Sequence, residues 1–333
     1  MRFPLEFTSS IASYMIKKKL AKTERFPMVL MLEPLHACNL TCTGCGRIRE
    51  YESTIKQKLS IAECLEAVDE CGAPVVSICG GEPMIYPGIG ELVAKILERK
   101  KNVILCTNGM FTRKKIREFK PSNRFFFNVH LDGMRKNHDI AVERTGVFDA
   151  AIDGIRAAKE AGFLVCTNTT VYKETDVAEL DELFAFLTEL EVDGFMISPG
   201  YSYAAVDTKE IFMSRDDIRE KFRAAESLFR KYKFNTSPVY LEFLQGKREM
   251  ACTAWGNPTR NVKGWKGPCY LITDIHHPTF DDLLNKTPWE KYGYGKDPRC
   301  QDCMVHSGYE ASAALGVNGR LGDTLKMIKW QLT

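Results

Sequence analysis

Residues 28–46 read MVLMLEPLHACNLTCTGCG. The opening apolar run, rich in Val and Leu, has the pattern of a buried strand. Pro34 breaks it, and the loop that follows carries Cys38, Cys42 and Cys45. Three thiols spaced Cys-x-x-x-Cys-x-x-Cys can reach one soft metal centre, and thiolates select iron–sulfur clusters or zinc over hard cations. A closed structural site takes four protein ligands, so three leave one metal corner open for chemistry. Local disulfides are the plainer alternative, but they would leave one of the three thiols unpaired in a chain that reads as intracellular.

Around this stretch the composition is ordinary. At 333 residues the chain suits one large α/β domain with additions, or two domains. Hydrophobic residues make up 44% and charged residues 27%, and the formal net charge is +3. No basic tract with interleaved aromatics points to nucleic acid. No apolar run reaches the roughly 18 residues needed to span a bilayer, and no basic start with an apolar core signals export. Twelve cysteines in such a chain imply a reducing cytoplasm, where clustered thiols mean metal or catalysis.

Residues 1–27 form an amphipathic opening. Phe7, Ile11, Ile16 and Leu20 are interrupted by Lys17, Lys18, Lys19, Lys22 and Arg25. Such a basic helix either covers part of a core or lies peripherally on the inner face of a membrane. After the cysteine loop, Ser60 to Glu63 is a capping box, Ile61, Cys64, Leu65 and Val68 stripe one helix, and Gly72 stops it. Strands are expected at 75–79, 103–106, 125–131, 163–171 and 195–198, alternating with helices. Six strands in strict alternation imply parallel pairing through right-handed crossovers, and six units are too few to close an eightfold barrel. The expected fold is α/β: a partial (β/α)6 TIM-type barrel over 28–200, with its chemistry at the C-terminal strand ends. Residues 201–333 read as a C-terminal, cysteine-containing extension with one long helix over 215–232 and little periodicity after it.

Two further constellations stand out. Cys79-Gly80-Gly81-Glu82-Pro83 follows the second strand: glycines admit close backbone approach to a ligand, and Glu82 can accept from an ammonium group. Cys252, Cys269, Cys300 and Cys303 are four thiols suited to an auxiliary iron–sulfur cluster or a structural zinc, with buried free thiols as the plain alternative.

The cysteine loop directly after a first strand, with Gly-Gly-Glu-Pro one strand later, resembles the radical S-adenosylmethionine (SAM) enzymes. That resemblance implies a 4Fe–4S cluster on Cys38, Cys42 and Cys45, SAM chelated to its open iron, and Gly80, Gly81 and Glu82 at the methionyl amine. It also implies Asn168 and Ser198 at the ribose and adenine, and an electron donor such as flavodoxin or ferredoxin. Thr43 stands where the family often has an aromatic residue. The stretches VVSICGGEP (75–83), VHLDG (129–133), SPGY (198–201), WGNPTRNV (255–262) and CMVH (303–306) further resemble the adenosylhopane synthase family of hopanoid biosynthesis. This implies a 5′-deoxyadenosyl radical adding to the terminal alkene of diploptene, SAM being a cosubstrate. Ser307 stands where this resemblance implies a further cysteine, with His306 beside it as a substitute ligand. Phe125, Phe126 and Phe127 are candidates to line an apolar substrate site, or plain core.

Addition to a 1,1-disubstituted alkene leaves a tertiary radical that must gain one hydrogen atom. Cys106, ending the third strand, is the expected donor; a small buried hydrophobe is the plainer reading, and Cys79 and Cys166 are its competitors. The rival activity is hydrogen abstraction from a peptide or other small molecule, with an auxiliary cluster on the C-terminal cysteines.

Overall fold

The computed structural model describes residues 2–317 and 319–333. Six parallel strands, β1 (Val29–Leu32), β2 (Val75–Ile78), β3 (Asn102–Thr107), β4 (Phe125–His130), β5 (Leu164–Val171) and β6 (Gly194–Pro199), are hydrogen-bonded in sequence order. Helices Ile61–Cys71, Ile89–Glu98, Val147–Glu160 and Val177–Glu189 return the chain between them. This is the open (β/α)6 arrangement expected from the alternation. The Ser60/Glu63 capping box forms, with Glu63 N–H on Ser60 Oγ at 3.2 Å, and Gly72 ends that helix at φ +68°.

Side chains alternate between two packing environments. Val76, Ile78, Val103, Leu105, Phe125, Phe127, Val129 and Val165 pack outward under the helices. Val75, Ile104, Phe126, Leu164, Cys166 and Met196 point inward and close the base of the lumen with Phe7. The run Phe125–Phe127 is therefore divided by the strand period. Phe125 and Phe127 are helix-side core, and Phe126 meets Phe7 edge-on at 5.5 Å; none of the three lines a substrate surface at the open end.

The stretch after residue 232, read as having little periodicity, carries three more strands. β7 (Thr259–Asn261) pairs parallel to β1, and β8 (Gly264–Pro268) and β9 (Thr273–His277) continue antiparallel, giving one nine-stranded sheet in the order β6-β5-β4-β3-β2-β1-β7-β8-β9. These strands are short and carry Gly, Lys, Asn and His, so they lack the aliphatic signature of the first six. The expected helix over 215–232 is two, Arg215–Ala224 and Glu226–Lys231, broken at Ala225. The break lets Phe229 stack on Phe222 and meet Phe234 at 5.2 Å.

The opening helix, Leu5–Leu20, crosses the N-terminal ends of the strands. Phe7 is buried there and Ile11 packs beside it. Ile16 and Leu20, the other two apolar residues of the amphipathic opening, point outward. Among the described residues no helix is long and apolar enough to cross a membrane.

Candidate active site

The cysteine loop leaves β1 at the C-terminal end of the barrel and is fixed by the turn after β2. Gly81 N–H donates to Leu35 O at 3.1 Å and Glu82 N–H to Ala37 O at 2.9 Å. A Cβ on Gly81 would lie 1.9 Å from the Ala37 oxygen, and Gly80 sits at φ +104°. These glycines therefore admit the backbone of the cysteine loop. Glu82 is only 1% exposed and its carboxylate is committed locally. Oε1 accepts from Met84 N at 2.8 Å and Thr107 Oγ1 at 2.7 Å, and Oε2 accepts from Asn108 N at 2.8 Å. Burial pushes its carboxyl up, and these three hydrogen bonds oppose that rise. The carboxylate thus ties the ends of β2 and β3 together.

Cys38, Cys42 and Cys45 are half-buried and unpaired. Burial first, then Glu82 and Cys45, raise Cys38 to about 12, and burial, then Cys45, Cys38 and Asp132, raise Cys42. Three crowded soft donors in one loop are suited to a bound cation, so the donor set fits an iron–sulfur centre. Among the described residues no three Cys, His, Asp or Glu side chains already converge at metal-ligand distance; the thiols share a loop, not a finished coordination sphere. Arg49 braces that loop, donating to Cys42 O at 2.9 Å and Cys45 O at 2.6 Å. Thr43 turns away to Glu143 at 3.1 Å. Aromatic walls come from elsewhere: a Cβ on Gly44 would lie 2.2 Å from the Tyr172 hydroxyl, and one on Gly46 would lie 2.3 Å from the Tyr203 ring. The glycines flanking Cys45 were the sequence signal for these rings.

A buried charge network beside the loop was not foreseen. Glu33, at the end of β1, is fully buried and pairs with Arg47 Nε at 3.1 Å. Arg47 also pairs with Glu50 at 3.1 Å and lies 4.2 Å over the Tyr270 ring. Lys266, from β8, bonds to Tyr270 O at 2.8 Å. Burial alone would raise Glu33, but Arg47, the His36 hydrogen bond and Lys266 outweigh it and bring its carboxyl down to about 2. Burial, with Arg47 nearby, lowers Lys266 to about 8. The network joins the cysteine loop to Tyr270, the neighbour of Cys269.

Inside the lumen Cys106 takes a hydrogen bond from Asn128 Nδ2 at 3.6 Å and lies 3.4 Å from Ser77 Oγ. Cys166 bonds to Asn128 Oδ1 at 3.5 Å. Cys79 and Cys166 are fully buried, whereas Cys106 is half-buried. Burial raises the Cys106 thiol, with the Ser77 and Asn128 hydrogen bonds opposing, so it stays protonated at neutral pH. Asn168 faces the same lumen one step higher on β5, beside His130, which bonds to Asp132 at 2.8 Å. Ser198 is engaged differently: its Oγ lies 3.3 Å from Tyr240 Oη and accepts from His306 N at 3.3 Å, fastening the helix His306–Leu315 to β6.

Cys252, Cys269 and the Cys300/Cys303 pair, from three separate segments, line one cavity of about 300 Å³ with Tyr201, Trp255 and Tyr309. Ser307 also lines it and His306 does not, so His306 is not placed as a substitute ligand. Gly308 makes the approach of Cys252 possible, since a Cβ there would lie 2.3 Å from its sulfur.

An open parallel barrel bearing a three-thiol loop at its C-terminal mouth defines a class of iron–sulfur enzyme. Residues 32–187 match the model of the Radical SAM superfamily, and residues 195–327 match a domain of unknown function (DUF3463). The matched segment, which holds the cysteine loop and most of the barrel, is thus that of a radical SAM enzyme, a superfamily that uses a 4Fe–4S cluster and SAM. It is 29% identical to Fe-coproporphyrin III synthase of Methanosarcina barkeri over 46% of this chain, spanning only 39% of that protein. It is 26% identical to PqqA peptide cyclase of Gluconobacter oxydans, over 79% of this chain and 76% of that one. Streptococcus suis SuiB, solved with its precursor peptide SuiA, shares the fold with a TM-score of 0.64 at 16% identity, covering 88% of this chain and 73% of SuiB.

Proposed function

We propose that Cys38, Cys42 and Cys45 hold the 4Fe–4S cluster and that the enzyme abstracts hydrogen from a peptide or other small molecule, with Cys252, Cys269, Cys300 and Cys303 holding an auxiliary cluster or zinc. The observation that carries this reading is the cavity lined by all four distant thiols. It is supported by the likeness to a peptide cyclase over most of both chains. When bound, the cluster and SAM supply a 5′-deoxyadenosyl radical. The chain's own work is then positional. The Glu82-tied turn presents backbone carbonyls to the methionyl amine, Tyr172 and Tyr203 wall the loop against water, and Asn168 offers its free amide to the nucleoside. Ser198 acts through Tyr240 and the C-terminal helix. In this reading residues 1–27 close the barrel base, 28–200 form the catalytic barrel and 201–333 carry the second thiol site. A one-electron donor such as flavodoxin or ferredoxin would approach the open end.

A second reading is favoured by Cys106. Addition of the radical to the terminal alkene of diploptene forms a C–C bond and leaves a tertiary carbon radical. Cys106 S–H, weaker than the C–H bond it makes, would give up a hydrogen atom from a fixed face. The thiyl left behind regains one electron and one proton from the external reductant.

Anaerobic incubation with SAM, a strong reductant and diploptene, followed by mass spectrometry, tests the choice. An adenosyl adduct supports addition, and diploptene recovered unchanged while SAM is cleaved removes that reading. In the addition case Cys106→Ala should retain the adduct but give mixed epimers or unsaturated products, and a single saturated epimer at the normal rate would remove that role. For the auxiliary site, reconstituted protein should bind roughly eight irons instead of four, or about four irons and one zinc. Cys300→Ala with Cys303→Ala should remove the second metal while leaving SAM cleavage.

A further inference from the structure

Two surface helices meet beneath the N-terminal ends of the strands. Gln331 Nε2, on the helix Asp323–Leu332, donates to Phe3 O and Thr8 Oγ1, both at 2.8 Å, and Phe3 meets Trp330 edge-on at 5.9 Å. The helix Leu5–Leu20 is fixed to the barrel by Phe7 on Phe126, by Ser10 Oγ accepting from Asn102 at 2.7 Å, and by Glu6 on Arg124 at 2.6 Å. With their inner faces so settled, both helices carry large aliphatic side chains outward. On the first these are Leu5, Ile16 and Leu20; on the second they are Leu325, Ile328 and Leu332, at helical i, i+3 and i+7. Leu20 is 80% exposed, Leu325 72% and Leu332 64%. Scattered exposed leucines need no explanation, but two adjoining helices each bearing such residues do.

Charge says what they fit. Residues 2–25 hold six basic and two acidic residues. The acids of the two helices are already paired: Glu6 with Arg124, and Asp323 with Arg248 at 2.8 Å. Lys17, Lys19, Lys22 and Lys329 are exposed with no acidic partner among the described residues. We propose that this end of the molecule docks on an anionic bilayer surface, its leucines entering the headgroup–acyl boundary and its lysines lying over the phosphate layer. A second copy of the chain is the weaker fit, because an isologous contact would set these lysines against each other. Docked so, the cysteine loop, at the opposite ends of the strands, faces the aqueous phase. None of this depends on which substrate the barrel takes.

The test is flotation of reconstituted full-length enzyme with vesicles of phosphatidylcholine alone or mixed with phosphatidylglycerol, alongside light scattering. The proposal expects binding to the anionic vesicles only, weakened about tenfold or more by high salt. It expects a similar loss in Leu20→Glu with Leu325→Glu, whose far-ultraviolet circular dichroism and deoxyadenosine formation stay at wild-type levels. No flotation with anionic vesicles overturns it, as does binding that ignores salt and the leucine changes. A wild-type dimer that the leucine pair makes monomeric assigns the face to a second copy and also overturns it.

Discussion

The two thiol sites are built in opposite ways. Cys38, Cys42 and Cys45 lie in one loop, and the turn that braces them follows the adjacent strand, so a short spacing and two backbone hydrogen bonds define the place. Cys252, Cys269, Cys300 and Cys303 reach one cavity only after β7, β8 and the C-terminal helices are in position. The first site is a local feature resting on rigid backbone; the second is a product of tertiary packing and ends in flexible side chains. Backbone closeness at the first and side-chain closeness at the second should respond differently to the same perturbation.

Adding one methyl group to each site makes that contrast measurable. Gly81→Ala drives a Cβ to within 1.9 Å of the Ala37 oxygen, which cannot move without the loop. We expect a loss of about 3 kcal/mol or more in denaturant unfolding of the apo protein, and no iron at the first site on reconstitution. A Gly81→Ala protein with normal stability would show that the turn does not brace the loop. Glu82→Gln is next in size. Its amide would turn N–H groups toward either Asn108 N–H or the Met84 and Thr107 donors, costing about 2 kcal/mol; a stability change near zero would mean that the carboxylate is not the tie it looks to be. Gly308→Ala is the mildest. The added methyl meets the Cys252 sulfur, the end of a movable side chain, so stability should fall by about 1 kcal/mol or less while metal at the second site drops. Equal stability losses at Gly81 and Gly308 would break the comparison.

The same contrast explains what could be read beforehand. The six β/α units were legible because their aliphatic strands and striped helices repeat local rules. The Cys-x-x-x-Cys-x-x-Cys loop was legible because its spacing alone brings thiols together. The role of Glu82 inside the protein was not, since its partners at Thr107 and Asn108 come from the next strand. Nor was the Glu33–Arg47–Lys266 network, whose members come from the end of β1, the short turn of helix after the cysteine loop and β8, the last brought in when β7 and β8 close on β1. Tyr172 and Tyr203 were announced only by the small residues they pack on, Gly44 and Gly46. Ile16 and Leu20 share a stripe with each other but not with Phe7: they fall about half a turn around the helix from it, so they face out.

The central claim is that the first thiol loop, and not the second, is where SAM is cleaved. The most direct measurement is 5′-deoxyadenosine formed anaerobically from SAM and a strong reductant by wild-type enzyme and by the variant carrying Cys38→Ala, Cys42→Ala and Cys45→Ala, with metal analysed in both. The variant should make no deoxyadenosine while keeping the metal bound by the C-terminal thiols. Deoxyadenosine from the variant at the wild-type rate would contradict the account.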